Sequence, residues 1–125
     1  MRKAQLLGCN DDLDLAISHA EDATILTEDL PLSPLVYRIY ALCLSRRYQA
    51  LGSSEDLDRA MRALEKVLER TDDGIIVSDE DRAAALYVRG YVWACQSSRT
   101  TDRVGLDNAI KDVSRSVKIT GESHL

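Results

Sequence analysis

With 125 residues and a formal net charge of −5, the chain has the size of one domain, and its acidic balance argues against nucleic acid as a partner. No apolar run reaches the length needed to cross a membrane. Apolar residues make up 45% and charged residues 30%, enough to bury a core; with no Phe and one Trp, that core is expected to be aliphatic with tyrosine support.

In chain order, Arg2 to Leu7 reads as the end of a helix that Gly8 stops, and residues 8–11 as a polar loop. A helix follows over 11–28. After a loop at 28–33, Ser33-Pro34 reads as an N-cap with proline at the first helical position. That helix runs through Leu35 and Leu44 to about Ala50, where Gly52 stops it. Beyond a loop at 51–54, Leu57, Ala60, Met61, Leu64, Val67 and Leu68 form one apolar stripe at helical spacing. The connection at 71–78 contains Ile75-Ile76-Val77, too apolar to float free and expected to tuck against the helices. Ser78 with Asp81 three residues on resembles a capping box and opens a helix through Ala83 to about Ser97. After a loop at 98–103, Leu106, Ala109, Ile110, Val113 and Val117 repeat the stripe.

Three of these helices carry one phrase. Asp12-Leu13-Asp14-Leu15-Ala16-Ile17 recurs as Asp56-Leu57-Asp58-Arg59-Ala60-Met61 and as Gly105-Leu106-Asp107-Asn108-Ala109-Ile110, at offsets of 44 and then 49 residues. Downstream, Ala20, Leu64 and Val113 correspond, then Thr24, Leu68 and Val117. Upstream, Arg2 to Gly8 lies over Arg46 to Gly52 with four of seven positions identical. Such self-similarity is the mark of a helical repeat. The order is B, A, B, A, B: a lone B helix at 11–28, an A–B pair at 34–71 and a second pair at 79–120.

These residues resemble tetratricopeptide (TPR) repeats, most nearly the long-looped variety found in tandem in large fungal proteins. The resemblance implies an all-α, TPR-like superhelix of about five antiparallel helices. Small residues on each A helix (Ala41, Gly90) and each B helix (Ala60, Ala109) would allow close packing, 19 residues apart in both pairs. The common TPR unit has about 34 residues; these units are longer, with five extra residues around Thr71 to Glu80 in the second connection. Both array ends lack a covering helix. The chain is therefore expected to belong to a longer array or to cover its ends by self-association.

The resemblance also implies that the A helices line a groove for a peptide or partner helix. Arg38, Leu42, Ser45 and Arg46 would face it from the first A helix, and Tyr87, Tyr91, Ala94 and Cys95 from the second. Tyr and Arg are favoured contact residues at interfaces, though the tyrosines equally suit inter-helix packing. Trp93 and Tyr37 read as core. Relatives that grip a C-terminal carboxylate use Lys and Asn at these places; both are absent, so that activity is not implied.

No residue pattern points to chemistry. The acidic clusters lack the alternation of a calcium loop and suit helix starts. The cysteines and histidines are scattered singly, without zinc spacing, and a Cys95–His19 pair has no nucleophile signature behind it. Arg2-Lys3 and Arg46-Arg47 read as solvated helix ends. Three cysteines without paired spacing argue against a disulfide framework, and the start lacks the apolar segment of a signal peptide. The expectation is a cytoplasmic, non-catalytic scaffold or interaction module with no cofactor or metal, binding a protein or peptide, with homo-oligomerisation as the alternative.

Overall fold

The computed structural model describes residues 2–69, 77–100 and 103–123. Among them lie five α-helices and no strand: α1 (Arg2–Leu26), α2 (Ser33–Leu51), α3 (Ser54–Leu68), α4 (Asp79–Thr100) and α5 (Arg103–Ser123).

Local chemistry sets two of the helix ends, at Gly52 and Ser78. Gly52 terminates α2 with φ of 75°, and its N–H bonds the Tyr48 carbonyl at 2.7 Å. This left-handed step suits glycine, which has no Cβ to clash. At the start of α4, the Ser78 hydroxyl accepts the Asp81 N–H at 3.1 Å, half of the expected capping box. The Asp81 carboxylate turns instead toward Arg38 of α2, 3.8 Å away. Two sequence readings are corrected. Ser33 is not the cap of α2: Leu32 holds that position, while Ser33 is the first helical residue and fully buried, with Pro34 beside it. Nor does Gly8 end a helix, because α1 is helical straight through residues 8–11. A glycine stops a helix only where the chain turns away left-handed; held in the helix it costs only about 1 kcal/mol relative to alanine. Of the apolar connection, Ile75 and Ile76 lie outside the described residues, and Val77 is buried in the core as expected.

Helices pack mainly on their chain neighbours, and α2 also packs on α4. Small residues bring them close. Ala41 and Ala60 are fully buried, and a Cβ built at Gly90 would lie 2.7 Å from Val113 Cγ2 and 3.1 Å from the Ala109 carbonyl. Leu44, Leu64, Leu86 and Val92 fill the centre, each worth about 1.5–3 kcal/mol relative to exposure. Two bidentate ion pairs cross the helix interfaces. Arg47 of α2 holds Asp56 of α3 at 2.7 and 2.8 Å, and Arg89 of α4 holds Asp112 of α5 at 2.7 and 2.8 Å. Arg47 also reaches Asp14 of α1 at 2.9 Å, so one guanidinium joins three helices. Both carboxylates strengthen its hold on its proton, Asp56 most.

Burial repeats along the chain with a regular rule. In α3 the row Asp56, Ala60, Ala63, Val67 is buried, and the corresponding row of α5, Gly105, Ala109, Asp112, Ser116, is buried against α4. A second row of α3, centred on Leu57 and Leu64, is also covered, because α3 packs on both α2 and α4. Its counterpart on α5 is open except at Val113, the match of Leu64, which is half-buried beside Gly90. Leu57 is 6% exposed and the corresponding Leu106 48%; Ile110 and Val117 are 56% and 64% exposed. At the other end α1 shows the inverse. Ile17, Ala20 and Thr24, the counterparts of the second row, are buried, whereas Asp12, Ala16 and His19, the counterparts of the first, are exposed. Each helix of this type thus has one face for the helix before it and one for the helix after it. Among the described residues only α3 has both faces covered.

Candidate functional site

The same rule sorts the eight residues expected to line one groove. The two A-type helices correspond at an offset of 49 residues, yet equivalent positions have opposite fates. Ser45 of α2 is fully buried and donates to the Ala41 carbonyl at 2.8 Å, while its counterpart Ala94 on α4 is exposed. Cys95 of α4 is buried, while its counterpart Arg46 on α2 is exposed. Where α2 and α4 meet, each covers one side of the other. Arg38 is half-buried there against Asp81. Ser45 and Cys95 are buried, so not all eight residues are open to a partner.

The residues left open fall into two clefts. Leu42 and Arg46, with Ile39, line a cleft of about 530 Å³ between α2 and α1, whose far wall is Asp12, Leu13 and Ala16. Tyr87, Tyr91 and Ala94 line a second, of about 400 Å³, between α4 and α5, with Gly90 in its floor and Ile110 and Val113 as its far wall. The α4–α5 cleft is the more apolar, and it adjoins the open row of α5. In the sequence Ile110 and Val113 belong to an apolar stripe, with no signal that assigns them to a groove. That assignment needed the knowledge that nothing among the described residues follows α5 onto that face.

Between the clefts a short polar chain ties α4 to α2. The Tyr91 hydroxyl donates to Gln49 Oε1 at 3.3 Å, and Gln49 Nε2 donates to Cys95 Sγ at 3.1 Å. Burial pushes the Cys95 thiol up, against smaller opposite effects of the Tyr91 and Gln49 hydrogen bonds. Burial also raises the Tyr91 hydroxyl, with Cys95 adding to it and Gln49 and Arg46 opposing. A thiol raised in this way is a poor nucleophile. Nor does the fold bring Cys95 to His19, which is exposed on α1, a helix that packs on α2. Gln49 carried no sequence signal, since an exposed glutamine on a helix is unremarkable until its neighbours are known.

Trp93 is half-buried on the opposite side of α4, beside Arg89 and Asn108, while Tyr37 joins the core as expected. Arg46 is exposed, whereas its neighbour Arg47, read as a solvated helix end, is the three-helix clamp described above. Among the described residues no group of three or more His, Cys, Asp or Glu could hold a metal ion, and no helix is long and apolar enough to cross a membrane.

Compared with known proteins, the chain matches no family model, no curated protein and no solved structure.

Proposed function

We propose that this chain is a non-catalytic protein-interaction module, built as a TPR-like helical-repeat superhelix, whose open clefts each accept one helix. The observation that carries this reading is the contrast between α3 and α5. Leu57 of α3 is buried and Met61 and Leu68 are partly buried against the core, while their counterparts on α5, Leu106, Ile110 and Val117, are exposed. A contiguous apolar row on a soluble helix marks an interaction surface. The flanking Tyr87 and Tyr91 supply broad aromatic contacts of the kind that anchor interfaces. Recognition would follow the helix-in-groove mode, read by anchors at i, i+3, i+4 and i+7. Cys43 and Cys95, free among the described residues, suit a reducing, cytoplasmic setting.

The internal packing suggests the probe. Since α3 already accepts α4, a helix-stabilised peptide with the sequence of residues 79–100 should enter the corresponding α4–α5 cleft of the intact chain. Titration followed by amide chemical shifts should perturb Tyr87, Tyr91, Ile110 and Val113 in a saturable way, and Ile110→Glu should abolish the effect. Shifts absent from these residues at saturating peptide would overturn the reading.

A further inference from the structure

We propose that the cleft on the Trp93 side of α4 and α5 binds a carboxylate-rich peptide segment of a partner protein. It lies across the helix pair from the tyrosine-lined cleft and does not depend on the reading of that cleft.

The repeat makes the site visible. Asn108, Lys111, Asp112 and Arg115 of α5 line a cleft of about 640 Å³ with Arg89 and Trp93 of α4. At the offset of 49 residues their α3 counterparts are Arg59, Arg62, Ala63 and Lys66. Those four line a cleft of about 330 Å³ with Tyr37 and Tyr40 of α2. Each unit thus sets a basic pair, one turn apart on one helix face, beside an aromatic residue of the preceding helix. At the same positions α1 has Ser18 and Asp22. The basic pair therefore belongs to α3 and α5 and is no general feature of the repeated phrase.

In the first cleft the chain's own carboxylates meet the lining. Glu28, in the connection after α1, sets an oxygen 3.0 Å from Lys66 Nζ, and that ammonium lies 5.6 Å from the centre of the Tyr37 ring. Glu21 of α1 accepts from the Tyr40 hydroxyl at 3.2 Å. The second cleft has the cations without the carboxylates. Arg89 is committed to Asp112, the only acid among the described lining residues. Lys111 and Arg115 are exposed and have no ion-pair partner among the described residues. Asp107, one turn before Lys111, is exposed but outside the lining. Three cations thus face one acid, and half-buried Trp93 adds a broad apolar wall for a residue beside the incoming carboxylate. A surface that lacks only the negative groups held by its repeat equivalent is complementary to an acidic peptide.

Trp93 is the single tryptophan of the chain, so its fluorescence reports on this cleft and not on the one between α2 and α3. Titrating the whole chain with an acetylated glutamate decapeptide at low salt should change the Trp93 emission saturably. Half-saturation should fall on the order of 0.1 mM, because exposed ion pairs are individually weak. Salt at about 0.5 M should weaken binding roughly tenfold, and a glutamine decapeptide should not bind. Lys111→Gln with Arg115→Gln should also weaken it about tenfold, as loss of two exposed pairs allows. Arg103→Glu makes the same change in net charge outside the lining and should leave binding nearly unchanged. Circular dichroism checks that both variants remain folded. Unchanged emission, together with unmoved amide shifts at Lys111 and Arg115 at about 5 mM peptide, well above the expected half-saturation, overturns the proposal. Equal weakening by Arg103→Glu also overturns it, since net charge alone would then explain binding. Inorganic triphosphate binding as tightly as the peptide would make this a general anion site and overturn the peptide assignment. The connection before α4 carries Asp72 and Asp73, which lie outside the described residues. If Asp72→Asn with Asp73→Asn tightens peptide binding tenfold, the chain supplies its own carboxylates and the partner is excluded.

Discussion

Gly90 is where one atom decides how two helices meet. Its missing Cβ leaves room for Val113 Cγ2 and the Ala109 carbonyl, and it forms part of the floor of the α4–α5 cleft. Alanine there gains about 1 kcal/mol of helix propensity. It also places a methyl 2.7 Å from a β-branched side chain and 3.1 Å from a backbone oxygen. Val113 has little rotamer freedom in a helix and the carbonyl cannot move without its helix, so relief requires α5 to shift away. Overpacking of this kind costs typically 1–3 kcal/mol. Gly90→Ala is therefore expected to destabilise by about 1 kcal/mol net, measured by urea unfolding. A stabilised variant would show that α4 and α5 can separate without loss. Gly90's packing role was legible in the sequence, because its offset from Ala109 equals that of Ala41 from Ala60. Gly8 was misread for the converse reason: composition does not say whether a glycine is held inside a helix or turns the chain.

The repeat makes a controlled experiment possible at the scale of helices. Leu57 of α3 and Leu106 of α5 share one phrase and one helical position, but the first is covered and the second open. Truncating a buried leucine removes its transfer energy and leaves a cavity, about 2–5 kcal/mol in all. Truncating an exposed one leaves no cavity. Leu57→Ala should therefore cost about 2–4 kcal/mol, and Leu106→Ala about 0.5 kcal/mol or less, in the same denaturant titration. Equal costs would mean that the α5 row is covered in solution by something that α3 shows only internally. The helices themselves were legible because each carries its own 3.6-residue period, with true end signals at Gly52 and Ser78. The groove was less so. Ser45 and Ala94, or Arg46 and Cys95, are equivalent by register and opposite in burial, because burial depends on which neighbour each helix has. The sequence of a single helix pair does not encode which neighbours will cover it.

Viewed whole, the molecule is held unevenly. Among the described residues, α2, α3 and α4 pack on two or three helices each, whereas α1 and α5 rest on one. α1 has the thinner attachment: the apolar row Ile17, Ala20, Thr24, the Tyr40 hydroxyl donating to Glu21 at 3.2 Å, and the Arg47 bridge to Asp14. Arg47 matters doubly, because its other nitrogens are committed to Asp56 on α3, whose side chain is 5% exposed. The Asp14 contact is half-exposed and worth little alone. Removing the guanidinium would strand Asp56 nearly dry, which costs far more than the surface pair. Arg47→Ala should thus lower global stability by about 2–3 kcal/mol, discounted from the fully buried case because Arg47 itself is partly solvated. It should also raise hydrogen exchange in α1 more than in α3 or α4, because an end helix with few contacts opens independently. Asp14→Ala separates the two effects: exchange in α1 should rise modestly while exchange in α3 stays unchanged. If exchange after Arg47→Ala rises equally in every helix, α1 is not a separate unit and the molecule opens only as a whole.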